Sequence, residues 1–309
     1  MLPPDLAGWK CFGYGAIRKM GETSLSETPS NEPWASLFSD NTELLNAEEW
    51  LLQADYSASK AEGYLKEKAK EKRDTVKDML IHLLPEIDDI RFTNPTAKNL
   101  KPRVEFKTPY GWITLDGLSL GYKTMIAWMV DLAHRLYERY PKSRNPLTEP
   151  AVVLVDEIDL HMHPRWQREI MSYLSGRFPN TQFIVTAHSP LIVQSAPEGT
   201  RVVLLRREDD HVVIDNNPQS IRGWRLDQIL TSDLFGFDTA RSPEIENLLK
   251  ERNKILSKSR LTKKDNEKLK TLEERIGSLP TAETQEDNEA MNIIREAAKI
   301  LKKKTDQQT

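Results

Sequence analysis

Ala151-Val-Val-Leu-Val-Asp156-Glu157-Ile-Asp159 is an unbroken aliphatic run that ends in three acids. Aliphatic and β-branched residues without polar alternation predict a strand covered on both faces, as in the parallel sheet of an α/β fold. The last side chains of such a strand stand at the carboxyl edge of the sheet, where open α/β folds bind their ligands. An Asp followed by a Glu at that edge suits hydrolysis of a metal-bound nucleotide. Asp156 offers oxygen to a hard cation such as Mg²⁺, and Glu157 can orient or deprotonate a water. The plain alternative is a strand that happens to end in acids.

Two flanking segments bear on that choice. Upstream, Leu118-Ser119-Leu120-Gly121-Tyr122 opens a long apolar-periodic segment that runs to about Tyr140. Downstream, Gln182-Phe-Ile-Val-Thr-Ala187-His188 has the pattern of a second buried strand and ends in a histidine. Ser119 is a candidate helix N-cap, and Gly121 permits close backbone approach. A helix start of this kind presents free N–H groups and partial positive charge to an anion.

In this order the three elements resemble the ABC-type ATPases, the nucleotide-binding group that includes SMC-like and RecF-like DNA-maintenance proteins. Residues 110–235 also resemble the AAA-family ATPases of phage-defence operons, among them the Septu-type and OLD-like groups. Val152 to Glu157 is similar to the Walker B motif. Leu118 to Tyr122 stands where the signature motif belongs, with a Leu and a Tyr where the family usually carries Gly and Gln. Ile158 to His163 occupies the place of the D-loop, and His188 that of the switch histidine. The resemblance implies ATP and Mg²⁺ as ligands. It implies that Asp156 holds the metal through a water, Glu157 aligns the attacking water and His188 contacts the γ-phosphate. It also implies that Asp159 faces a dimer interface, and that Ser119 and Gly121 meet the γ-phosphate held by the opposite subunit of a homodimer or higher oligomer.

The family's phosphate-cradling loop, G-x-x-x-x-G-K-S/T, occurs nowhere in the 309 residues. Gly13-Tyr14-Gly15-Ala16-Ile17-Arg18 has the wrong spacing and no Lys-Ser/Thr end, and reads as a strand and turn. The expected architecture is therefore an α/β, ABC-ATPase-like P-loop NTPase core with a parallel sheet and flanking helices, incomplete in its N-terminal lobe, with a C-terminal helical tail. Residues 1–109 form an irregular, helical and β subdomain, 110–240 the ATPase lobe and 241–309 the tail. ATP binding and hydrolysis by a dimer would gate an associated effector, such as a nuclease subunit, in phage defence or DNA maintenance.

Two other readings of the same residues stay open. Asp156, Glu157, Asp159, His161 and His163 could form a metallohydrolase cluster, since His and carboxylate make zinc or manganese sites. The chain could instead be a nucleotide-blind binding or regulatory module that docks onto a nuclease or onto nucleic acid.

A charged fraction of 29% against 38% hydrophobic residues describes a highly charged protein, and a net charge of −3 gives no global drive towards nucleic acid or membrane. No run of about 18 apolar residues predicts a membrane span. One cysteine, Cys11, precludes an intrachain disulfide, suits a reducing cytoplasm and reads as a buried small hydrophobe.

Elsewhere, Glu22 to Pro33 reads as a loop, and Asn46 as the cap of a helix. Another helix spans about Ser59 to Leu84, and Arg91-Phe92, Arg103–Lys107 and Trp112–Leu115 read as short strands. Pro164 starts a crossover helix carrying Trp166, Ile170 and Leu174. Arg201–Leu205 and His211–Asp215 form a hairpin. The tail holds a helix from Ser242-Pro243-Glu244, a second from Thr262-x-x-Asp265 with Leu269, Leu272, Ile276 and Leu279, and a third through Ile293 to Leu301 that ends in Lys302-Lys303-Lys304. Without a Lys and amide cradle, the isolated chain is expected to show no measurable ATP affinity at micromolar nucleotide. Titration calorimetry checks this, and tight Mg²⁺-dependent binding would reveal an overlooked phosphate loop.

Overall fold

The computed structural model describes residues 10–22, 32–95, 100–216, 221–258 and 260–277. It divides into two compact units, Met1–Phe235 and Gly236–Thr309. In the first unit, β1 (Cys11–Tyr14) precedes the helical pair α1 (Ala47–Lys60) and α2 (Gly63–Leu83). An antiparallel sheet of β2 (Asp89–Thr93), β3 (Arg103–Thr108) and β4 (Gly111–Thr114) follows, and then the long helix α3 (Leu120–Arg139). Next come β5 (Ala151–Val155), α4 (Pro164–Gln167), α5 (Ile170–Arg177), β6 (Thr181–Val185) and α6 (Pro190–Gln194). The hairpin β7 (Leu204–Glu208) and β8 (His211–Asp215) and the short α7 (Leu226–Leu230) complete the unit.

The aliphatic run at 151–155 becomes the middle strand of a parallel sheet in the order β1-β5-β6. Its burial is uneven. Val153 and Val155 are buried, whereas Val152 and Leu154 are only partly so. The expectation of a fully buried β6 fails further. Ile184 is 51% exposed, because nothing among the described residues covers that face of β6. Cys11 also departs from expectation: it is exposed at the outward first position of β1.

Helix α3 is the core. Residues Met125 to Ala133 are buried all round, as a helix enclosed on every side requires. Its one buried acid, Asp131, accepts the Tyr14 hydroxyl at 2.9 Å, Arg135 Nε at 2.6 Å and the Leu45 amide at 3.3 Å. The charge is thus paired and hydrogen-bonded, the condition for burying it. Those bonds tie β1 and the entry to α1 onto α3. Four side chains bond carbonyls in the carboxyl half of α2 and just after it. Trp166 Nε1 donates to Leu83 O, Tyr122 Oη to Pro85 O, Tyr173 Oη to Met79 O and Arg177 to Thr75 O. They satisfy backbone carbonyls towards that helix end and after it.

Some element boundaries move. The crossover from β5 to β6 is broken into α4 and α5. The last hairpin pairs three residues later than expected on its first strand, at 204–208, around a tight turn in which Asp209 takes φ 53°. Asn46 caps α1 by accepting the Glu49 amide.

The second unit contains α8 (Pro243–Leu256) and α9 (Lys263–Gly277), packed through Leu248, Ile255, Leu269, Leu272 and Ile276. Thr262 and Asp265 cap α9 reciprocally, hydroxyl to amide and carboxylate to amide. Leu279, the third tail helix, the lysine run at its end and most of the Glu22–Pro33 loop lie outside the described residues. No helix among the described residues is long and apolar enough to cross a membrane.

His134, on α3, carries a pH consequence. It accepts the Trp50 indole N–H on Nδ1 at 3.1 Å, so that nitrogen must be unprotonated. Burial lowers its pKa from the usual 6.5, against the upward pull of Glu138 and Asp131. An unfolded chain therefore takes up this proton before the folded one does, and stability falls as the pH drops through and below 6.5. Denaturant titrations at about pH 7.5 and about pH 5.5 should show this loss, and His134→Gln should flatten it.

Candidate active site

The pairing register decides what meets at the carboxyl edge. Tyr14 lies beside Val155, and Val155 beside Val185, so the chain leaves all three strands at one level. Asp156 still continues the ladder, its amide donating to Tyr14 O at 2.8 Å, and Thr186 N does the same to Val155 O at 3.0 Å. The acids and the histidine predicted from opposite ends of a crossover therefore share one edge.

Beyond Asp156 the backbone turns sharply. Glu157 adopts φ 46° and His161 φ 64°, left-handed values that cost a non-glycine residue on the order of 1–3 kcal/mol unless the surroundings hold it. Several contacts supply that hold. The Thr186 hydroxyl accepts the Glu157 amide at 2.8 Å and donates to Asp156 Oδ1 at 2.5 Å. Arg18 donates Nη1 to the Asp156 carbonyl at 2.7 Å and Nη2 to the Glu157 carbonyl at 3.0 Å. Ile158 N reaches Thr186 O, and the Asp159 carboxylate takes the His188 amide at 3.3 Å. Gln167 donates to the carbonyls of Asp159 and Met162 and accepts the Ser189 hydroxyl. The turn after β5 and the loop after β6 are thus laced together, with Asp159 linking the acids to His188 within one chain.

Arg18 is only 3% exposed, and its Nε meets no hydrogen-bond partner. Burial pulls its pKa down to about 10, against the upward pull of Asp156, Asp159 and Glu157. It remains a cation at neutral pH and offsets part of the charge of three neighbouring acids.

Ser119 takes the N-cap position of α3 but makes no capping hydrogen bond, so the expected side-chain cap is not formed. It is exposed, as is Leu120. Gly121 is buried, and a Cβ there would stand 2.4 Å from the His161 carbonyl oxygen. The start of α3 thus packs directly on the turn that follows the acids, which by itself requires a glycine. His163 caps α4 by accepting the Arg165 amide on Nδ1. No group of three or more His, Cys, Asp or Glu side chains that could hold a metal occurs among the described residues, and this leaves the metallohydrolase cluster without support. A single carboxylate is nonetheless a fitting Mg²⁺ ligand, since that ion usually keeps several waters and completes its shell with phosphate oxygens. Asp156 offers one, its Oδ1 already oriented by Thr186.

Thr186, Arg18 and Gln167 were not singled out from the sequence. Thr186 carried a signal, a hydroxyl two residues before His188 and directly after the apolar Phe183-Ile184-Val185. Arg18 carried a fainter one, the first charge after a Gly-Tyr-Gly-Ala-Ile turn.

The family described as "AAA domain, putative AbiEii toxin, Type IV TA system" matches residues 17–194. The chain is 36% identical over 163 residues to the Septu protein PtuA of Bacillus mycoides (strain KBAB4), covering 52% of this chain and 22% of that protein. It is 49% identical over 81 residues to the "Retron Vc95 probable ATPase" of Vibrio cholerae serotype O1 biovar El Tor, covering 26% of this chain and 16% of that protein. The chain thus spans less than a quarter of the length of either relative. The SMC head domain from Thermotoga maritima is 16% identical, with a TM-score of 0.34 over 54% of this chain and 51% of that one, too low a score to carry an argument.

Gly121→Ala should destabilise the fold by about 1–3 kcal/mol, because the methyl group meets a backbone oxygen that cannot swing aside. Denaturant unfolding measures it, and a wild-type midpoint would contradict the packing of α3 on the His161 turn.

Proposed function

The chain belongs to this family of AAA domains, and we propose from that membership that it supplies the acid and switch residues of an ATPase that controls an effector in phage defence. The observation that carries the reading is the Asp156–Glu157 pair, held in a left-handed turn at the carboxyl edge of a parallel sheet and joined to the His188 loop. Likeness to a Septu protein and to a retron ATPase supports the defence setting. An associated nuclease subunit is the effector that best suits such relatives, and a cytoplasmic setting fits a chain with one cysteine. The phosphate-cradling loop does not occur in these 309 residues, so activity is tested in the assembled ATPase.

Phosphoryl transfer asks a protein chiefly for positioning and charge stabilisation. Asp156 is the residue that would hold Mg²⁺, which when bound neutralises charge on the phosphate oxygens. Glu157 orients the attacking water and accepts its proton. His188 senses the γ-phosphate, with its backbone fixed by Asp159. Ser119, uncapped and exposed, together with the free amides at the start of α3, meets the γ-phosphate of a nucleotide held by a second subunit, so that two sites form when two chains meet. Nucleic acid remains an optional partner, since the net charge gives no drive towards it.

In the assembled ATPase, Glu157→Gln should leave ATP and Mg²⁺ binding largely intact while turnover falls on the order of 10²-fold or more. Asp156→Ala should instead weaken the Mg²⁺-nucleotide complex. Steady-state hydrolysis and nucleotide titration separate the two, and unchanged turnover in Glu157→Gln removes that residue from the role. Mixing a subunit bearing Ser119→Arg with one bearing Glu157→Gln places both lesions in one composite site and neither in the other. Partial activity should return. No recovery despite verified subunit exchange would defeat the assignment of Ser119 to a partner's nucleotide.

A further inference from the structure

Thr186 has no task in the chemistry assigned above, yet it touches both members of the acid pair. A hydroxyl has one proton to donate and lone pairs to accept with. Thr186 gives its proton to Asp156 Oδ1 and accepts the Glu157 amide, so one small side chain ties a carboxylate to the backbone of the next residue. Arg18 binds the carbonyls of the same two residues from a buried position. Between them, the two side chains take up the polar groups of a peptide whose left-handed Glu157 would otherwise relax. Asp156 and Thr186 each follow directly on paired strand ends, and Arg18 reaches them from the turn four residues after β1.

From this geometry we infer that Thr186, backed by Arg18, is a positioning residue that sets the Asp156 carboxylate for its cation and holds Glu157 at a fixed offset from it. The inference rests on the ATPase reading. Groups that orient a metal ligand typically alter metal affinity or activity by about 10–100-fold when removed. A residue that merely stabilised the end of β6 would lower stability and leave the metal requirement alone.

The test uses the assembled ATPase carrying Thr186→Val, which keeps the shape and loses the hydroxyl, and Thr186→Ser, which keeps the hydroxyl. Thr186→Val should raise the half-saturating Mg²⁺ concentration about tenfold or more and speed hydrogen exchange at the Glu157 amide, and Thr186→Ser should restore both. Unchanged Glu157 exchange in Thr186→Val denies the clamp itself. A wild-type Mg²⁺ requirement in Thr186→Val, alongside an inactive Glu157→Gln control, overturns the positioning role and leaves the ATPase reading standing. Full activity in Glu157→Gln removes Glu157 from its role and with it the offset that Thr186 is inferred to set, whereas no Mg²⁺-dependent hydrolysis by the unmutated assembly overturns the ATPase reading itself. If Thr186→Val does not fold, Arg18→Lys takes its place, because an ammonium cannot span both carbonyls as the guanidinium fork does. It should shift the Mg²⁺ requirement in the same direction, and a wild-type requirement would again overturn the role.

Discussion

Everything at the candidate site depends on β5 being the middle strand of a parallel sheet. Parallel pairing in register with β1 on one side and β6 on the other means that three distant stretches of sequence leave the sheet at one level. An antiparallel β6 would send its histidine to the opposite edge. The crossover through α4 and α5 is what makes the pairing parallel, as a right-handed helical return does in such folds. The acids need no mutual affinity to assemble there. Backbone ladders bring them to the edge, and the side chains then fix the details.

Those details run against local preference. Arg18, Glu157 and His161 all take positive φ without being glycine. Three such residues around one turn persist because the tertiary structure over-determines them, and strain of this kind gathers where precise placement matters. The same logic explains the buried Arg18. A guanidinium 3% exposed is costly alone, but two carbonyls and three nearby acids make the site hospitable to it. Helix α3 repeats the device deeper in the core, where Asp131 is buried against Tyr14, Arg135 and the Leu45 amide and draws β1 and α1 into alignment with the helix.

The exposed apolar residues also form a pattern. Ile184 on β6 and Leu205, Val212 and Ile214 on the last hairpin lie open, although the stretch around Ile184 reads as a buried strand. Apolar side chains on strand faces are ordinarily covered, so their exposure marks surface that the described residues do not complete. Periodicity registers how apolar a strand is. It does not register whether a covering layer is present, and for this reason the full burial expected of β6 was wrong.

The sequence by itself determined the α/β class, the helices α1 to α3 and the hairpin of the second sheet, because these rest on local periodicity, caps and turn residues. It also marked the acids after β5 and the histidine after β6, since a strand that ends abruptly in charge is visible in one dimension. Tertiary structure alone decided the rest. Ser119 read as a cap and makes none, because an N-cap bond depends on a rotamer that sequence does not encode. Gly121 read as a residue for close backbone approach, and only the structure shows that the His161 carbonyl of the same chain is what approaches it. Asp159 found the His188 amide, and Thr186 and Arg18 found the acid pair, across separations of 29, 30 and 138 residues. Contacts over such distances are set by strand register and helix packing, and no local pattern in the chain records them.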